Sequence, residues 1–185
     1  MFKNKLIQLI KSDLYRYKEK TSLKIFLKTY LSTAGFNYLV WFRITQQYNN
    51  IFSRFLLKRK MIKFGIEIHP NTKIGYGFYI GHWGGIVINE KTIIGNNCNI
   101  SQGVTIGQIN RGEKQGTPLI KDEVYIGPGA KIIGKIIIGH NSAIGANAVV
   151  VKDVLPNTTV GGIPAKEISK IGSDGYTNRL WQDID

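Results

Sequence analysis

The stretch IGPGAKIIGKIIIGHNSAIGANAVVV, residues 126–151, sets Ile126, Ile132, Ile138, Ile144 and Val150 six residues apart. Upstream the period passes through Ile120, resumes before eight extra residues at Ile106, Ile100, Ile94 and Ile88, and before two more at Ile80, Ile74 and Ile68. Downstream it reaches Pro156, so thirteen of fourteen positions are Ile or Val. Gly follows in seven of them, and small or modest residues such as Thr72, Cys98, Ala130 and Ser142 stand four places later. An α-helix needs apolar residues at 3.6 spacing and loses about 1 kcal/mol for each interior Gly, while hairpin strands alternate strictly between turn signals. A short strand and a corner, repeated, fits instead: Gly and Asn tolerate the corner backbone, and the branched residues point inward and stack from coil to coil. Three hexads make one triangular coil, so fourteen predict between four and five coils of a parallel β-helix. Cys98 falls on an inward small position and reads as a buried structural thiol.

Two departures interrupt this regularity. One follows His82 and Trp83; the other is the polar segment QINRGEKQGTPL, residues 108–119. Insertions in a solenoid emerge as loops on one face and leave the core alone, so a site is expected at the departures. Before the repeat the pattern differs. Residues 1–64 carry 14 Lys/Arg against Asp13 and Glu19, which accounts for +12 of the formal charge of +13. Apolar spacings such as Leu6, Leu9, Ile10, Leu14 and Phe36, Leu39, Val40, Ile44 predict amphipathic helices broken near Gly35. Basic and aromatic residues mixed in this way suit helix packing, an acidic polymer or peripheral association with an anionic membrane. No recognition motif accompanies the charge, so nucleic acid is not expected. The organisation expected is a basic helical region 1–64, a β-helix domain 65–168 with the loop 108–119, and a tail 169–185 that fits no hexad.

The 185 residues are 43% hydrophobic and 20% charged, which suits one folded domain rather than a disordered chain. No apolar run reaches the ~18 residues of a membrane span, and one cysteine excludes an internal disulfide framework and a multi-cysteine zinc site. The start MFKNKLIQLIKSDLYRYK lacks a leader's uninterrupted apolar region, so a cytoplasmic protein is expected.

AGFNYLVWFR (34–43), GIEIHPNTKIGYGFYIGHWGGIVINE (65–90), NISQGVTIG (99–107) and GGIPAK (161–166) together resemble the hexapeptide-repeat acyltransferases, in the serine acetyltransferase branch that includes capsule and exopolysaccharide O-acetyltransferases. The resemblance implies a mainly β fold, a left-handed parallel β-helix with a small N-terminal helical region. It implies acetyl-CoA as donor, a hydroxyl as acceptor, and a homotrimer with active sites between subunits. His82 matches the family's catalytic histidine. Glu67, fifteen residues earlier, stands where the family has an acidic partner, usually aspartate. An alcohol must lose its proton as it attacks the thioester, so a base with a pKa near the working pH is wanted, and a carboxylate on the other ring nitrogen fixes the tautomer. Gly107, Gly127, Gly145 and Ala146 occupy corners where a coenzyme could approach, and Gly162 and Lys166 belong to the closing segment expected near its nucleotide end. His69 and His140 read as corner and surface residues, and the three histidines lack zinc-site spacing, so no metal is expected.

The serine enzymes carry an aspartate just before the catalytic histidine and a second histidine thirty-five residues after it. Here Gly81 and Thr117 stand at those places, so a free amino acid loses charge-assisted partners. Trp83 offers an aromatic face suited to a sugar ring. With Trp83 and Thr117 as acceptor-side residues, the expectation is a saccharide acceptor: O-acetylation of a surface polysaccharide or its precursor. Serine O-acetylation is the enzymatic alternative, and a non-catalytic glycan- or membrane-binding scaffold the other.

Overall fold

A computed structural model describes residues 2–182 of the chain. Four helices come first: α1 (Phe2–Lys18), α2 (Leu23–Ser32), α3 (Ala34–Tyr48) and α4 (Ile51–Phe64). Asn50 caps α4 by accepting from the Ser53 amide at 2.9 Å, and Gly65 ends it in the left-handed region at φ 62°. The break expected near Gly35 falls at Thr33 instead. Gly35 lies inside α3 because the helix rests on the first coil there: a Cβ on it would stand 2.5 Å from the Ile80 carbonyl oxygen.

The rest is a left-handed parallel β-helix with three faces. Face A stacks β1 (Ile66–Ile68), β4 (Ile86–Ile88), β7 (Thr105–Gly107), β10 (Lys131–Ile133) and β13 (Val149–Val150). Face B stacks β2 (Lys73–Ile74), β5 (Ile93–Ile94), β8 (Leu119–Ile120) and β11 (Ile137–Ile138). Face C stacks β3 (Tyr79–Ile80), β6 (Asn99–Ile100), β9 (Tyr125–Ile126), β12 (Ala143–Ile144) and β14 (Thr159–Gly161), with β15 (Lys166–Ser169) antiparallel along its edge.

The six-residue columns are the ladders themselves. On face A, Ile68, Ile88, Ile106, Ile132 and Val150 are register partners, and on face C so are Ile80, Ile100, Ile126, Ile144 and Val160. All are buried. Face B runs through Ile74, Ile94, Ile120 and Ile138 and then through Val154, which bridges Ile138. This corrects one expected position. The last coil is two residues short, so Val154 and Val160 enter the column, Pro156 stays exposed, and the coils number five. Proline has no N–H to give a ladder. Its backbone instead crosses Gly139, where a Cβ would stand 2.4 Å from the Pro156 nitrogen.

A buried charge cluster seats the helices on this coil. The Arg43 guanidinium on α3 donates to both Asp13 carboxylate oxygens (2.9 and 3.1 Å) and to the Ile74 and Gly75 carbonyls, while Asp13 accepts from the Phe78 amide. Burial of the two ions is tolerable because these contacts use their polar atoms. Arg16 of α1 reaches the Gly77 carbonyl and the Asn99 side chain.

Candidate active site

The outer surfaces of the three faces are not equivalent. Face C is covered by α1 and by the segment after β15: Tyr176 stacks on Tyr125 at 4.5 Å, the Asn99 side chain donates to the Tyr176 carbonyl, and Arg16 donates to that of Asn178. Faces A and B stay open, with Val87, Ile93 and Ile137 more than a third exposed.

His82 and Trp83 sit on the corner between β3 and β4, at the leading edge of face A, and both are exposed. The two extra residues make this corner a glycine turn, Gly84 at φ 103° and Gly85 at φ 64°, packed against Gly65 at the mouth of β1. Glu67 projects outward from the middle of β1, with Val87 as its register partner on the next coil. The repeat thus brings His82 and Glu67 to one end of one face, although they are fifteen residues apart. Neither side chain forms a hydrogen bond or ion pair with another described residue.

Beyond Glu67 toward the trailing edge lies an open hollow of about 330 Å³, lined by Met61, Glu67, His69, Asn89, Glu90, Thr105 and Gly107 among others. His69 Nδ1 accepts from the Asn71 amide at 3.1 Å, closing its corner, and lies 3.4 Å from Glu90 Oε2. Stacking therefore adds Glu90 to the surroundings of Glu67. Its signal in the sequence was its place one coil after the His69 corner. A larger hollow of about 510 Å³ lies between helices and first coil, against Arg43, Gln46 and Tyr76, and no carboxylate, histidine or cysteine lines it. The titratable groups that burial displaces are also elsewhere: it pushes up Asp13, Tyr17, Tyr38 and Cys98, with the Arg43 charge pulling Asp13 partly back.

The expected coenzyme residues divide between two regions. Gly107 borders the hollow. Gly127 and Gly145 lie on corners after face C strands, where coils touch: a Cβ would come within 2.8 Å of the Ile144 oxygen at the first and 3.2 Å of the Val160 oxygen at the second. Ala146 is exposed beside Gly145. Gly162, at φ 91°, and Lys166, exposed at the start of β15, lie at the far end of the β-helix. Thr117 stands between β7 and β8 at the trailing edge of face A, its hydroxyl donating to the Lys91 carbonyl at 3.1 Å. Trp83, 52% exposed, is at the opposite edge. One chain does not bring these two together. Gly81 is set against Tyr79, whose ring carbon would lie 3.1 Å from a Cβ there, so a bulkier residue before His82 would press on that ring. Among the described residues no group of three His, Cys, Asp or Glu is placed to hold a metal ion.

Comparison with known proteins sorts these features. Residues 117–152 match the family described as "Bacterial transferase hexapeptide (six repeats)". The chain is 39% identical over 150 residues to the serine acetyltransferase of Synechococcus elongatus, an alignment covering 79% of this chain and 62% of that protein. It is 42% identical over 120 residues to that of Bacillus subtilis, covering 65% and 55%. The crystal structure of Neisseria gonorrhoeae serine acetyltransferase in complex with serine superposes with a TM-score of 0.75 at 34% identity, over 90% of this chain and 70% of that one. Soybean serine acetyltransferase gives 0.76 at 33%, over 88% and 69%. The chain spans less than two thirds of the length of these curated relatives. These matches overturn the saccharide acceptor expected from Gly81, Thr117 and Trp83, and with it the link to capsule and polysaccharide synthesis. The proteins this chain resembles are serine acetyltransferases.

Proposed function

The chain belongs to the hexapeptide-repeat transferases, in the serine acetyltransferase branch, and from that premise we propose that it transfers acetyl from acetyl-CoA to the hydroxyl of L-serine. The observation that carries this reading is its likeness to a serine acetyltransferase solved with serine, at 34% identity over 90% of the chain. In this reading His82 is the general base. One ring nitrogen takes the hydroxyl proton as the oxygen attacks the thioester carbonyl, and the imidazolium then returns it to the departing thiolate, releasing CoA as a free thiol. Glu67 supports the imidazolium from the outer side of β1, with a longer reach than aspartate. The pantetheine arm runs along the β-helix past Gly107 and the Gly145–Ala146 corner, with Lys166 toward the phosphates. The assembly is a trimer; because face C is covered within the chain, copies meet through faces A and B. Gly81 and Thr117 leave serine without two charge-assisted contacts worth about 1.5–3 kcal/mol each, so its KM is high.

The test is thiol release from acetyl-CoA with serine over a wide concentration range, repeated with His82→Ala. Serine-dependent turnover is expected, with a loss of about 10²- to 10⁴-fold in the variant and CoA binding retained. Absence of serine-dependent release at any concentration refutes the acceptor. Unchanged turnover in the variant refutes the base.

A further inference from the structure

The helical region carries a surface that the acyl-transfer reading does not use. On α2, Leu23, Leu27 and Leu31 recur every four residues on the solvent side and are 73, 51 and 82% exposed, while Ile25, Phe26 and Tyr30 pack on the core. Lys24 and Lys28 repeat the same step beside this ridge, and Lys20 just precedes it; all three are exposed. Half-buried aromatics carry the surface across α3 to α4. Trp41 Nε1 donates to the Tyr30 hydroxyl at 2.8 Å, and the Trp41 ring meets Phe52 edge-on at 6.4 Å. Phe52 and Phe55 are exposed on α4, followed by exposed Lys58 and Arg59. Between Glu19 and Glu67 the sequence has no carboxylate.

Exposed leucines in a continuous row gain free energy when covered, so the question is what covers them. A second copy of the same face would bring two carboxylate-free cationic surfaces together, and like charges across an interface are costly. An anionic bilayer meets both halves of the pattern. Leucine and aromatic side chains enter the boundary between headgroups and acyl chains, while the lysines lay their methylenes along it and keep their ammonium groups among the phosphates. Among the described residues no helix is long and apolar enough to cross a membrane, so the contact is peripheral. We propose that the surface formed by α2, Trp41 and the start of α4 docks reversibly on an anionic lipid surface. The proposal stands apart from the identity of the acetyl acceptor.

Sedimentation of the full chain with lipid vesicles tests it, using phosphatidylcholine alone and phosphatidylcholine with phosphatidylglycerol, at low and high salt. Binding to the anionic vesicles only is expected, with release as salt screens the charges. Leu27→Glu, and separately the pair Lys24→Glu and Lys28→Glu, are expected to lower the partition coefficient at least about tenfold. Far-UV circular dichroism and acetyl transfer in solution should be unchanged in both. No binding to anionic vesicles, equal binding to neutral ones, or folded variants that bind like the parent overturns the proposal. So does a fall in particle mass in lipid-free solution on Leu27→Glu, because a second copy would then be the occupant.

Discussion

Cys98 shows how a single position follows from the repeat. Standing four places after Ile94, it points inward, is fully buried, and gives its thiol hydrogen to the Lys121 carbonyl at 3.1 Å. Burial is the largest influence on it and pushes the thiol up to about 12. Thiol reagents at neutral pH should therefore leave the native protein unmodified and label one site after denaturation, as mass spectrometry would show; rapid native labelling would place the side chain outside the column. The pH dependence has a definite sign. The folded state prefers the neutral thiol, so this contribution is intact below the unfolded thiol's range, and stability falls as pH rises from there toward 12. A denaturant midpoint insensitive to pH above about 9 would contradict it. His82 is the opposite case: it is exposed on an irregular corner because the repeat breaks there.

Among the elements, the junction of α1 and α3 with the first coil depends on an ion pair that hydrophobic patterning does not announce. Asp13→Ala would leave the Arg43 guanidinium buried with two carbonyl partners and no counter-charge. A loss of about 3–5 kcal/mol is expected in chemical denaturation. Asp13→Ala with Arg43→Met should recover a large part of it, because no uncompensated ion remains. A single variant within about 0.5 kcal/mol of the parent would mean the pair is not what seats the helices. The break between α2 and α3 has the same lesson. Gly35 reads as a helix stop by composition, yet it is the contact point at which α3 lies on the Ile80 carbonyl, a role fixed by a neighbour 45 residues away.

Across the whole molecule, the segment after β15 ties distant parts together. Ser173 donates to the Glu123 carbonyl, Arg179 to the Tyr17 carbonyl, Asn97 holds the backbone of Trp181, and the Trp181 ring meets Tyr15 edge-on. Removing residues 172–185 is expected to uncover Tyr125 and Asn99, lower the melting temperature by several degrees and raise amide exchange in α1, while β-strand circular dichroism persists. Unaltered exchange in α1 would show that the tail is passive. Because the tail and α1 occupy face C, only faces A and B keep open outer surfaces among the described residues, a division that no hexad count contains.

By itself the sequence determined the columns, since one aliphatic residue every six can be buried only by a coil of short strands, and the departures at His82 and at 108–119 were visible as breaks in that count. Glu67 and His82 were legible through the resemblance of the segments around them, and it is the stacking of β4 on β1 that puts them at one end of one face. Pro156 misled the count, since a coil two residues short keeps its register through backbone bonds rather than spacing. Only the tertiary structure decided that Val154 completes the column, that Arg43 meets Asp13, and that Trp83 and Thr117 stand on opposite edges of face A. Each depends on contacts between residues distant in the chain, where packing and burial of charge, and not local periodicity, set the free energy.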